Sequence, residues 1–171
     1  MKEFFNRMLR AAKLDARLYE EVEADKSFFA QAMLVVVISS LAAGIGSIMQ
    51  GGWAGIVFTT ALALASWFIW AYLTFVIGTM LLPTSNTEAD YGQLLRTIGF
   101  SSSPGIIRVI GIIPGLTGII FTIANIWMLV AMVIAVRQAL DYESTLRAVI
   151  VCLIGWVIQA VILGLTLIAV T

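Results

Sequence analysis

Apolar and charged positions alternate in blocks along this chain. Charges cluster in the first 26 residues, and then Ser27–Thr87 carries none. A second group lies between Glu88 and Arg108, followed by the uncharged stretch Val109–Val136. A short charged loop, Arg137–Arg147, precedes the last uncharged stretch, Ala148–Thr171. An uncharged apolar stretch of about 20 residues is what a helix needs to cross a bilayer. The pattern predicts an all-α polytopic membrane helix bundle of five transmembrane helices, with an N-terminal amphipathic interfacial helix. The spans fall at about 29–49, 53–82, 99–113, 116–138 and 146–170. Residues 1–26 form a cytoplasmic arm and 27–171 the transmembrane domain.

Turn residues divide the long stretches. Gln50-Gly51-Gly52 reads as a tight turn between the first two spans, with Trp53 as an interface anchor. Pro104 suits the first position of a helix. Pro114-Gly115 admits two topologies. If one tilted span crosses here, the bundle has four spans and Arg137 and Arg147 lie on the far side. If the dipeptide is a turn, every charge faces one compartment, as the positive-inside rule favours. Eleven helical residues from 103 to 113 cover only about 16 Å, so the third span either begins earlier, around Leu94, or is half-buried against its neighbours. Residues 88–100 read as a short helix along the cytoplasmic surface, capped by Asn86 or Thr87.

In residues 1–22, Phe4, Phe5, Met8, Leu9, Ala11 and Tyr19 fall on one half of a helical wheel. Lys2, Arg7, Arg10, Lys13 and Arg17 fall on the other, and Leu14 and Asp15 break the pattern. Such a helix lies in the membrane interface or packs on the cytoplasmic ends of the spans. The acidic run Glu20, Glu21, Glu23 and Asp25 reads as a solvated bend.

Composition narrows the function classes. The chain has 171 residues, 61% of them hydrophobic and 12% charged, against about 45–50% and 25% in soluble domains. Net charge is zero, which gives nucleic acid no electrostatic hold. There is one cysteine, Cys152, and no histidine, the commonest general base. No nucleophile–base pair, metal-ligand cluster or phosphate-cradling loop stands out, so neither catalytic residues nor a metal or cofactor site is assigned. The first span follows a long charged arm rather than a short basic one, so it does not read as a signal peptide.

The remaining candidates are polar groups in apolar surroundings. Arg108 lies near the cytoplasmic end of the third span, where it snorkels to headgroups or pairs with Asp90, Asp141 or Glu143. Asn125 and Gln159 sit on different spans and suit a hydrogen bond across helices, worth on the order of 1 kcal/mol. Arg7, Arg10, Lys13, Arg17, Arg96, Arg108, Arg137 and Asp141 are the candidates for contact with lipid headgroups or a partner.

Residues 91–148 resemble the prokaryotic branch of the Yip family, the Ypt-interacting proteins. The matching segments are YGQLLRTIGF from Tyr91 to Phe100, Pro104, IWMLV from Ile126, and VRQALDYESTLRA from Val136 to Ala148. The resemblance implies five spans, a cytosolic N-terminus and a C-terminus on the far side of a bacterial cytoplasmic membrane. Eukaryotic relatives bind small GTPases through an acidic-leucine-tyrosine-glycine-proline type of motif. Here Leu18-Tyr19-Glu20-Glu21 lacks the Gly-Pro, so GTPase binding is not carried over. Three functions follow as expectations. The first is a non-enzymatic scaffold or accessory subunit with a membrane-protein partner or a second copy. The second is a transporter, channel or lipid-handling protein with a cavity near Arg108, and the third is a membrane-shaping protein.

Overall fold

A computed structural model describes the backbone of residues 1–170, and the side chains of these except at 49–51, 54 and 162–170. The side chains of Gln50 and Gly51 in the expected first turn, and the chain end at Thr171, therefore lie outside what is described. Among the described residues the protein is all-helical. The elements are α1 (Lys2–Ala12), α2 (Ala16–Ala24), α3 (Phe29–Gly46), α4 (Ile48–Val76), α5 (Tyr91–Ser101), α6 (Thr117–Ala139) and α7 (Thr145–Val170). A π-helical turn, Ile77–Leu81, extends α4, and a 3-10 helix, Ser103–Ile112, extends α5. Among the described residues three segments are long and apolar enough to cross a membrane: Lys26–Gly46, Gly55–Leu81 and Thr117–Ala139. Thr145–Val161 is a shorter apolar helix within the described side chains.

The amphipathic arm is two helices rather than one. Leu14 takes a left-handed φ of 63°, a conformation an L-residue adopts at a cost. Asp15 then caps α2 by accepting from the Arg17 amide. The break falls where the wheel pattern failed. The apolar face of the arm is spent on the bundle: Met8, Ala11, Leu18, Tyr19 and Val22 are buried. Burying a large apolar side chain is worth about 1.5–3 kcal/mol relative to water, so this face docks the arm firmly. Phe5 and Leu9 remain exposed.

The α3–α4 junction is displaced from the expected turn. α3 ends at Gly46, Ser47 leaves helical geometry, and the chain breaks again at Gly52, whose φ of 60° suits a residue without a Cβ. The Pro114–Leu116 turn reverses the chain as expected, with Gly115 at φ 85°.

The third segment corrects the sequence reading most. The helix at Tyr91–Ser101 does not lie along a surface. Every residue from Leu94 to Ser101 is buried, and the helix packs on α2, α3, α4 and α6. Its cap is Asp90, not Asn86 or Thr87. The Asp90 carboxylate accepts from the Gln93 amide while the Gln93 side chain accepts from the Asp90 amide, a reciprocal capping box. Pro104 opens the 3-10 helix that follows. Ten residues of 3-10 geometry is long for this form. Its greater rise, about 2.0 Å per residue, lengthens a segment that eleven α-helical residues alone leave short.

Candidate functional site

A cavity of about 500 Å³ opens among α3, α4, α6, α7 and the end of α5. Ser39 comes from α3, Trp67 and Trp70 from α4, Asn125 from α6, and Trp156 and Gln159 from α7. Arg108 reaches it from the 3-10 helix. The Arg108 Nη2 donates to Asn125 Oδ1, and the guanidinium carbon lies 5.6 Å from the Phe121 ring centroid, within cation–π range. Two buried donors have no partner among the described residues, Arg108 Nε and the Trp70 indole N–H. An unmade hydrogen bond of this kind costs about 1–3 kcal/mol.

Arg108 differs from expectation in two ways. It does not pair with Asp90, Asp141 or Glu143; its partner is the neutral amide of Asn125. It also lies toward the Ile112 end of its segment, away from the capped start at Asp90. There the Arg108 carbonyl presses on Gly46, the last residue of α3, where a Cβ would overlap it. Because α5 occupies the first half of the segment, Arg108 falls in the second half. The anticipated Asn125–Gln159 bond is absent from the hydrogen bonds of the described residues, and the two side chains instead line the same cavity.

The other candidate cations divide by what they touch. Arg7 and Arg10 are held by Glu21 at 3.0 and 2.6 Å, and Arg10 also by Asp15 at 2.8 Å. Arg7 stacks over the Phe28 ring at 4.5 Å. Glu21 is therefore not part of a merely solvated bend; it ties α1 to α2. Arg10 holds the carboxyls of Glu21 and Asp15 below their ordinary range, with burial opposing it. Lys13 and Arg17 are exposed. Arg96 is not at a headgroup-facing surface: it is 4% exposed and donates to the Val22 and Glu23 carbonyls, closing the C-terminal end of α2. Arg137 donates to the Tyr142 carbonyl and the Thr145 hydroxyl. It stands at one end of a second, more apolar groove of about 530 Å³ between α6 and α7.

Asp141 is exposed, at φ 51°. It shares a shallow groove with Glu20, Glu23, Arg137 and Glu143. Burial, and then the charge of Asp141, push the Glu23 carboxyl up to about 7.

Two structural residues escaped the sequence reading. Tyr142 donates to the Gly78 and Leu82 carbonyls, closing the π turn against the α6–α7 loop. Trp127 donates to the Ala12 carbonyl at 2.7 Å, fastening the arm near the middle of α6. Both are aromatics with a polar tip and both lie in the segments that carry the family resemblance, but neither signal named a partner.

The Yip1 domain model matches residues 16–167. No curated protein and no solved structure matches the chain. The matched region runs from the first residue of α2 into α7 and takes in every element that lines the cavity. The chain is an integral membrane protein of the Yip1 domain family.

Proposed function

We propose that this protein is a non-enzymatic, lipid-handling member of the family that takes an amphiphile from the bilayer into the cavity beside Arg108. The observation that carries this reading is the cavity itself. A pocket of about 500 Å³ falls in the range that encloses small ligands, apolar walls with a few convergent polar groups. Arg108, Asn125 and Gln159 supply the larger polar groups beside five serine hydroxyls, and Val36, Ile98, Leu129 and Met132 supply apolar wall. Ionisable groups at such positions are costly and are kept where they meet a ligand or a path. Among the described residues the cavity lining offers no carboxylate, thiol or imidazole for acid–base or nucleophilic work.

The accompanying topology has five spans, the arm and the Arg137–Arg147 loop in the cytoplasm of a prokaryotic cell, and the Pro114–Leu116 turn on the far side. A reporter fused after Thr171 and scoring as cytoplasmic overturns it.

Native mass spectrometry of the full chain, purified in mild detergent, tests the function. An amphiphile adduct of one per chain is expected. Filling the cavity by Ala63→Trp should remove it. The reading fails if no adduct appears, or if the filled variant keeps it.

The accessory-subunit reading also has one observation in its favour. The arm is fixed to the bundle while Lys13 and Arg17 stay exposed, which gives a partner a rigid basic face. Reproducible co-purification lost in Lys13→Glu/Arg17→Glu would support it, and a lone monomer would end it.

A further inference from the structure

We infer that the cavity selects a single-chain amphiphile with one oxyanion head, a carboxylate or phosphate, which Arg108 and the Trp70 N–H receive. This rests on the lipid-handling reading above and names the class of ligand. Among the described residues Arg108 forms no ion pair, and no carboxylate lines the cavity. Its counterpart, Asn125, brings a dipole but no charge. A guanidinium carries five N–H donors; Asn125 accepts from Nη2 and nothing accepts from Nε.

Trp70 strengthens the case independently. It is 7% exposed, lines the same cavity, and its indole N–H has no partner. Tryptophan N–H groups generally find an acceptor when buried, and an indole can only donate. The unmet demand is therefore for acceptors, and with a cation that has no ion pair in the same lining an anionic acceptor answers it best. The opposite sign is excluded, because a cationic or purely donor headgroup would meet Arg108 and leave both donors unpaired.

The rest of the wall sets the remainder of the ligand. Val36, Ile98, Leu129, Met132 and Trp156 give an apolar surface suited to an alkyl chain. A bare inorganic anion would leave that surface empty. A volume of about 500 Å³ suits a drug-sized molecule, so one chain fits and the bulk of a two-chain phospholipid does not.

The test uses the delipidated full chain in nanodiscs, titrated with dodecanoate, dodecyl phosphate, dodecanol and inorganic phosphate, with binding read by native mass spectrometry. Both anionic chains should bind about tenfold or more tightly than dodecanol, the margin a charge-assisted hydrogen bond supplies. Inorganic phosphate should not bind saturably. The ratio of dodecanoate to dodecyl phosphate decides which head the site prefers. Arg108→Gln should bring the anionic preference to within about twofold. Asn125→Asp should do the same by giving the guanidinium its own carboxylate, and it keeps the fold if the glutamine variant does not. Trp70→Phe should weaken anion binding more than it weakens dodecanol binding. If dodecanol binds as well as the anions, and Ala63→Trp abolishes all three, the cavity is a lipid site without charge selection and only this inference falls. If no chain binds, the lipid-handling reading falls with it. Tight inorganic phosphate binding, or an anionic preference that survives both Arg108→Gln and Asn125→Asp, also overturns the inference.

Discussion

The indole N–H of Trp127 donates to the backbone carbonyl of Ala12 across 2.7 Å, joining residues 115 apart in the chain. Ala12 ends α1 and Trp127 sits near the middle of α6. The bond fastens the C-terminal end of α1 to α6.

Trp127→Phe keeps the ring and removes the donor. The loss is one hydrogen bond to an otherwise free helix-end carbonyl, about 1–2 kcal/mol. Limited proteolysis near Lys13 should quicken several-fold, while the unfolding temperature of the rest changes little. Unchanged cleavage would show that the buried face of Leu18, Tyr19 and Val22 holds the arm alone.

Arg96→Gln should be more severe. The Arg96 guanidinium is buried and serves two carbonyls at the end of α2. Removing it strands polar groups in a closed site, at about 2–4 kcal/mol. Thermal unfolding in detergent measures the loss. Arg96→Lys should recover only part of it, since an ammonium cannot present a planar fork.

Arm docking should depend on pH in two directions. The Glu23 carboxyl, raised by burial to about 7 from its ordinary 4.5, takes up protons more readily docked than free. Its contribution is complete below 4.5 and is lost as pH rises through about 7. Asp15 and Glu21, held low by Arg10, act oppositely: their contribution is present above their ordinary pKa and lost on acidification. Hydrogen exchange over residues 16–24 should show a protection maximum in mildly acidic solution. Glu23→Gln should flatten the alkaline side only.

Gly105→Ala tests the packing behind the cavity. A Cβ there would overlap Ser39 Oγ and come within 2.8 Å of Met128 Sδ. Overpacking of this kind costs about 1–3 kcal/mol. Thermal stability should fall, and pairing the change with Ser39→Ala should restore part of it. A neutral Gly105→Ala would mean that α3 and the 3-10 helix sit further apart.

The locally encoded features were legible before the fold. The arm breaks at Leu14 and Asp15, where the wheel pattern fails, and the chain turns at Pro114-Gly115 and bends at Gly52. Pro104 begins a helix. Each depends on backbone preferences of one or two residues. The candidate cavity was legible in outline only. Arg108, Asn125 and Gln159 were singled out as polar groups in apolar stretches, but their arrangement was not. Nothing local marked Trp70, because four tryptophans lie in comparable apolar text. Arg96 looked like a surface cation because the segment around it has the polar spacing of a surface helix.

What the sequence determined alone is the helical character, the apolar lengths and the places where the chain must bend, since chain length, charge and breaker residues act locally. Tertiary structure decided which charges are buried and which line a cavity. The physical reason is that α3, α4 and α6 are apolar all round, so no stripe marks their inner face. Small residues at Gly46 and Gly105 set how closely the segments approach, and that approach leaves Arg108 beside Asn125 rather than beside a carboxylate.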